Sequence, residues 1–149
     1  MARLKHVLFV CLGNACRSQM AEAFARTYGS DIMRAASAGV MPAAEIPELT
    51  HEVMREKNIT LQGHYPKGIS DLRQNFDLVV NMSGMTLPLE PGPTLETWTI
   101  EDPIGQSAEV YRAVRDEIEN RVMRLILNLR LDAHPRTAAT RLKPKPKRI

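Results

Sequence analysis

Cysteine, aromatic side chains and long apolar runs are all scarce in this chain. Two cysteines among 149 residues, Cys11 and Cys16, are too few for a disulfide framework or a four-sulfur zinc site. Sulfur is therefore expected to be reactive rather than scaffolding, and a reducing, cytoplasmic compartment fits the pair. Phe, Trp and Tyr make up 5% of the residues, which is little material for stacking on bases and disfavours nucleic acid as a partner. No apolar stretch approaches the roughly 18 residues needed to cross a bilayer. The opening Met-Ala-Arg-Leu-Lys leads straight into a strand-like segment, so neither a membrane span nor a secretory leader is expected. Acidic residues are missing from 133–149, which hold six basic ones (Arg136, Arg141, Lys143, Lys145, Lys147 and Arg148). Of the 20 basic residues this leaves 14 against 17 acidic ones in 1–132. The formal charge of +3 thus belongs to the tail, and the body is mildly acidic.

What is present reads as one domain over 1–132 followed by a basic, Pro/Lys-rich tail over 133–149. Proline alternates with lysine from Lys143 to Lys147, which forbids helix and favours an extended, self-repelling segment. In the body, Val7 to Val10 is a short apolar run of the kind buried on both faces of a parallel sheet. The Ala-rich stretch from Arg17 to Tyr28 repeats apolar residues at helical spacing. Further strands are expected over Arg34 to Ala38, Asp77 to Met82 and Thr97 to Glu101, with a helix over Glu45 to Lys57. Tyr111, Val114, Ile118, Val122, Leu125 and Leu129 step by three or four residues, predicting a last helix from about Ser107 to Leu131. This alternation predicts an α/β fold, an open and mostly parallel sheet with helices on both faces, whose ligands bind at the carboxyl ends of the strands.

Chemistry concentrates in Cys11-Leu12-Gly13-Asn14-Ala15-Cys16-Arg17-Ser18, between the first strand and the first helix. A thiol at a strand end, a glycine and an asparagine that tolerate unusual backbone angles, and an arginine opening a helix together make a phosphate-binding loop. Loop N–H groups from Leu12 to Ser18 can turn toward a tetrahedral anion while Arg17 grips two of its oxygens. A free thiol, with a pKa of about 8.5, is only roughly 3% ionised at pH 7. The helix end, Arg17 and a hydrogen bond from Ser18 would supply the positive potential that Cys11 needs, with no histidine partner, metal or other cofactor. Asp102 is the candidate proton donor, because it follows a strand-like segment and precedes Pro103, which limits how its carboxyl points. On spacing alone, the plainer reading of Asp-Pro as a turn into the last helix is favoured over the catalytic one.

These eight residues resemble the signature of the low-molecular-weight protein tyrosine phosphatases and the related thioredoxin-coupled arsenate reductases. Further similarities follow in order: Ala36-Ser37-Ala38-Gly39, Phe76-Asp77-Leu78-Val79-Val80 and Asp102-Pro103. The resemblance spans residues 5–131 and implies a four-stranded parallel sheet flanked by helices. It makes Cys11 the nucleophile that forms a phosphocysteine, Arg17 the oxyanion binder, and Asp102 first acid and then base. It also assigns Asn14, Ser18 and Ser37 to hydrogen bonds that hold the loop in shape.

On the branch within this superfamily, the sequence carries opposed signals. Thioredoxin-coupled reductases keep relay cysteines after the third strand, and Val80-Asn81-Met82-Ser83-Gly84-Met85 has none. The phosphatases place tyrosines after the Asp-Pro pair, where this chain has Ile104-Gly105. Trp98 to Pro103 and Val114 to Ile118 look more like the reductases. The leading expectation is hydrolysis of an aryl phosphate monoester, in a phosphorylated protein or a smaller compound. The alternative is reduction of arsenate by an external low-molecular-weight thiol.

Other residues carry blander readings. Cys16 is either a redox partner of Cys11 or a small buried hydrophobe. His51-Glu52 begins like a zinc protease motif, but Arg55 stands where the second ligand belongs. His6, His64 and His134 are expected to be structural or solvated, and Met20, Met41, Met82 and Met85 to be core or pocket lining.

Overall fold

Side chains alternate along the first strand, β1 (Lys5–Cys11), and that alternation divides the interior in two. Val7, Phe9 and Cys11 face one core, and Leu8 and Val10 the other. In the computed structural model, which describes residues 3–134, β1 is central, between β2 (Met33–Gly39) and β3 (Leu78–Asn81), with β4 (Thr94–Thr97) at the edge. All pairs are parallel, giving the order β2-β1-β3-β4. The register sets Cys11 opposite Gly39 and Val10 opposite Asn81, so the carboxyl ends of three strands meet at one edge of the molecule. Expectations for the basic tail from residue 135 onward lie outside the described residues.

Three α-helices, α1 (Arg17–Gly29), α2 (Glu48–Arg55) and α3 (Ala108–Asp132), pack on the Phe9 face of the sheet. Met20, Ala21, Phe24 and Ala25 of α1 are fully buried, as are Ile118 and Val122 of α3. Burying a large aliphatic or aromatic side chain contributes about 1.5–3 kcal/mol. Ser107 starts α3 by accepting a hydrogen bond from the Val110 N–H at 3.4 Å. Helical cover is unequal between the faces. Opposite the three helices, Leu8, Val10 and Val79 are sealed by a single 3₁₀ turn (Ile69–Asp71) and by Leu72, Phe76, Leu87 and Leu89 of extended segments.

Two expected boundaries move, each for a physical reason. The last strand lies at Thr94–Thr97 rather than at Thr97 to Glu101. All four of its residues are exposed, so an edge strand carried no burial pattern to read. The apolar Trp98 and Ile100 that suggested a strand are buried just past its end. In α2, Pro47 holds an extended ψ of 148° at the helix start, which postpones the helix to Glu48. Among the described residues no helix is long and apolar enough to cross a membrane.

Candidate active site

The loop after β1 turns its carbonyls outward. Those of Cys11, Leu12 and Gly13 accept from the Val40, Met41 and Ala43 N–H groups at 3.1, 2.8 and 2.9 Å. The Asn14 carbonyl accepts from Gln19, that of Ala15 from the Thr50 hydroxyl, and that of Cys16 from the Met20 N–H. In a trans peptide the following N–H points the opposite way. The N–H groups from Leu12 to Arg17 are therefore turned into the hollow of the loop. Those of Gly13, Asn14, Ala15 and Cys16 meet no acceptor among the described residues. Six inward amides at the amino end of α1 constitute a cradle for a small anion.

Tight backbone packing shapes this cradle. Asn14 adopts a left-handed φ of 52°, a conformation that asparagine tolerates better than most residues. Gly39 at the end of β2 passes against the loop so closely that a Cβ there would lie 2.8 Å from the Asn14 nitrogen and the Gly13 carbonyl carbon. The sequence marked Gly39 only by resemblance, and this close approach is what requires glycine.

Cys11 is buried beside the cradle. Its Sγ lies 2.9 Å from Ser18 Oγ and accepts from the Ser18 N–H at 3.4 Å. Asn14 Nδ2 in turn donates to Ser18 Oγ at 2.7 Å. Asn14 and Ser18 thus form one relay ending at sulfur. Ser37 does not join it: its hydroxyl donates to Glu22 of α1 at 2.6 Å. Both residues are buried, so the carboxylate satisfies the hydroxyl before the loop can. Any support that Ser37 gives the loop passes through α1.

Arg17 is only 6% exposed and points into the protein. Nη1 donates to the carbonyls of Met82 and Ile100 at 2.6 and 3.0 Å, which fixes the plane of the guanidinium. Nη2 lies 3.3 Å from Asp102 Oδ2, and Nε is buried with no partner. An unsatisfied buried donor of a charged group is costly, and an anion in the cradle is a natural acceptor for it. Asp102, with 38% of its side chain exposed, also accepts the Ile104 N–H at Oδ1 at 3.2 Å. The turn and the pocket carboxylate, alternatives in the sequence, are therefore the same residue in the same conformation.

Cys16 faces away from this chemistry. It is buried, receives a hydrogen bond from Thr50 at 3.3 Å and gives one to the Tyr111 hydroxyl at 3.7 Å. Burial pushes its thiol up to about 11, partly offset by those two hydrogen bonds. Burial, then the bond with Cys16, also raises Tyr111. Thr50, and Tyr111, which the sequence marked only as a core position of the last helix, tie the loop to α2 and α3. Met20 and Met82 are core residues, whereas Met41 and Met85 are exposed because they lie in loops beyond the strand ends. Ile104, where an aromatic wall would stand, is half exposed. After β3, Asn81 and Ser83 close a turn on themselves: Asn81 Nδ2 donates to the Met85 carbonyl at 2.7 Å and Ser83 Oγ to Asn81 Oδ1 at 2.6 Å. Among the described residues no group of three or more His, Cys, Asp or Glu side chains could hold a metal ion.

Comparison with known proteins extends this geometry. Residues 6–88 match the family described as low molecular weight phosphotyrosine protein phosphatase. A relative from Synechocystis sp. named glutaredoxin arsenate reductase is 35% identical over 85% of this chain and 99% of its own length. A solved arsenate reductase in a phosphate binding state superposes with a TM-score of 0.75 at 36% identity, covering 83% of this chain and 97% of the other. The Erwinia amylovora tyrosine phosphatase AmsI superposes at 0.71 with 25% identity, over 82% and 91% of the two chains.

Proposed function

We propose, for a chain that belongs to the low molecular weight phosphotyrosine protein phosphatase family, that it reduces arsenate with electrons from an external thiol. The carrying observation is the cradle itself: inward amides, the uncommitted Nε of Arg17, and the Cys11 sulfur beside the N–H and hydroxyl of Ser18. Such a site suits a tetrahedral oxyanion attacked from below by sulfur. Arsenate rather than a phosphate ester is favoured by relatives named arsenate reductases that align over most of the chain.

In this reading Cys11 attacks arsenic, an S–As bond forms and one As–O bond breaks. Asp102 passes a proton to the departing oxygen, which leaves as water. An external thiol then attacks the Cys11 sulfur. The S–As bond breaks with its electron pair left on arsenic, releasing arsenite and leaving a mixed disulfide on Cys11. A second thiol frees Cys11 and departs as the disulfide. Two thiols are thereby oxidised for each arsenate reduced. An external donor is favoured because residues 80–85 contain no cysteine and the one other thiol, Cys16, is buried against Thr50 and Tyr111. Glutathione with a glutaredoxin is the first donor to test, given the name of the Synechocystis relative.

Hydrolysis of an aryl phosphate monoester through a phosphocysteine is the second reading. It is supported by Asp102 standing beside Arg17 at 3.3 Å, where a leaving oxygen would need its proton. A paired assay separates the two. The purified chain is offered arsenate with glutathione and glutaredoxin, mycothiol or thioredoxin, and in parallel para-nitrophenyl phosphate. Arsenite release that requires a thiol, with ester cleavage near background, is the expected result. Rapid ester cleavage with no arsenite from any donor overturns it in favour of the phosphatase.

A further inference from the structure

Gln19 follows Ser18 on α1 and is completely buried, and nothing in the sequence marked it. Its Nε2 lies 3.1 Å from each of three acceptors: the Asn14 carbonyl, Asn14 Oδ1 and the Tyr65 carbonyl. Its Oε1 faces His64 Nδ1 at 2.9 Å. Main-chain carbonyls only accept, so Asn14 and Tyr65 fix which end of the Gln19 amide is nitrogen. His64 Nδ1 must then donate.

The same reasoning orients Asn14. The Lys67 N–H, which can only donate, meets Asn14 Oδ1 at 2.8 Å, beside Gln19 Nε2. Two donors on Oδ1 leave Asn14 Nδ2 to face Ser18 Oγ at 2.7 Å. That oxygen accepts a hydrogen from Asn14 and keeps its own proton for a neighbour, and a thiolate at Cys11 Sγ, 2.9 Å away, can only accept it. The two amides each have one orientation, set by backbone groups at the outer end of the chain, and ionisation of Cys11 sets the polarity of the last bond.

We propose that Gln19 is a positioning residue for the Cys11 sulfur, because its carboxamide locks left-handed Asn14 in the orientation that makes Ser18 a donor to sulfur. Gln19 touches neither sulfur nor substrate. It acts by joining the cradle to the segment 64–67, so that Asn14 can neither rotate its amide nor relax its backbone. The inference rests on the reading of Cys11 as the nucleophile, and holds whether the ion is arsenate or a phosphate ester.

The test reads sulfur directly. Iodoacetamide alkylation of Cys11, separated from Cys16 by peptide mass spectrometry, is followed against pH for the full chain and for Gln19→Met and Gln19→Glu. Methionine keeps the length and removes the donor, and glutamate sets an oxygen against the two carbonyls. In Gln19→Met the alkylation rate at pH 7 should fall about threefold to tenfold, the size of one net hydrogen bond. The midpoint should rise by about half a pH unit to one unit. Gln19→Glu should move at least as far. A folded variant, judged by circular dichroism, whose midpoint stays at the wild-type value overturns the proposal and leaves Gln19 a packing residue. Should neither variant fold, the wild-type protein decides. The side-chain amide nitrogens of Gln19 and Asn14 should shift with the midpoint of Cys11 alkylation, and flat resonances count against the proposal. If alkylation behaves as expected while neither arsenate nor phosphate ester turns over, the functional reading fails and the role of Gln19 stands.

Discussion

The two ends of the sheet differ in what they offer a ligand. At the amino ends of the strands lies a groove of about 700 Å³ lined by Lys5, Asp77, Trp98, Arg121, Arg124 and Asn128 among others. Several of its charges are engaged at the surface: Arg121 bonds Glu117 at 3.2 Å and sits 5.9 Å from the centre of the Trp98 ring, and Asp77 pairs with Arg3 at 2.8 Å. Exposed pairs of this kind contribute about 0–1 kcal/mol each. At the carboxyl ends, Asn14, Arg17, Ser18 and Gln19 are all buried polar residues around one thiol. A groove of that volume would draw attention to the first end. Convergence favours the second, because a buried donor without an acceptor is a standing demand for an anion, and a groove of solvated ion pairs makes no such demand.

Replacing the sulfur should break this asymmetry most severely. Cys11→Ser removes the nucleophile while keeping a similar shape. Turnover of arsenate or of para-nitrophenyl phosphate should fall to background, at least about a thousandfold, with little change in thermal stability. Arg124→Glu, in the groove, should leave either activity within about twofold. A large loss from the groove variant, measured by kcat/KM, would show that the two ends are coupled or that the assignment is reversed.

Gly39→Ala tests the cradle by geometry instead of chemistry. The added Cβ would sit 2.8 Å from the Asn14 nitrogen and the Gly13 carbonyl carbon, both backbone atoms that cannot swing aside. The loop must shift by some tenths of an ångström. Misplacing catalytic groups by about 1 Å costs on the order of a hundredfold, so a loss of about tenfold to a hundredfold in kcat is expected. Overpacking should lower stability by about 1–3 kcal/mol, seen in urea unfolding. An alanine variant with full activity would mean that the cradle is looser than its hydrogen bonds suggest.

These contrasts explain what was legible in the sequence. The buried strand from Val7 to Val10, the helix after Arg17 and the long last helix announce themselves because burial imposes a period on residue type. Edge strand β4 imposes none, whereas Trp98 and Ile100, buried just past its end, carry the apolar pattern that the strand itself lacks. Within the site, Cys11, Arg17 and Asp102 are chemically conspicuous. Gln19, Thr50 and Tyr111 are not, since an amide or a hydroxyl gains its role only when folding brings it against a loop carbonyl or sulfur from α1, α2 or α3. The unequal cover of the sheet was also hidden, as the leucines at 72, 87 and 89 lie outside any regular period yet seal the second face.

A smaller effect sharpens the contrast from the other end. Hydrogen bonds from the Arg3 guanidinium and the His6 N–H hold the Asp77 carboxyl at about 2, below its ordinary 3.8. A carboxyl depressed in the folded state stabilises fully above its unfolded pKa, and that contribution is lost as pH falls through the folded value. Asp77→Asn should therefore lower stability at pH 7 by about 1 kcal/mol or less, as befits a partly exposed pair. It should also flatten the acid limb of the stability curve between about pH 4 and pH 2. Urea midpoints taken across that range would show the wild type and the variant converging as the pH drops. Because Asp77 ties the start of β1 to the start of β3, far along both strands from Cys11 and Asn81, the variant should keep its full turnover at pH 7. Unchanged urea midpoints at neutral pH would mean the pair is held by solvent rather than by the fold, whereas lost turnover would mean that strain at the amino ends of the strands reaches the cradle.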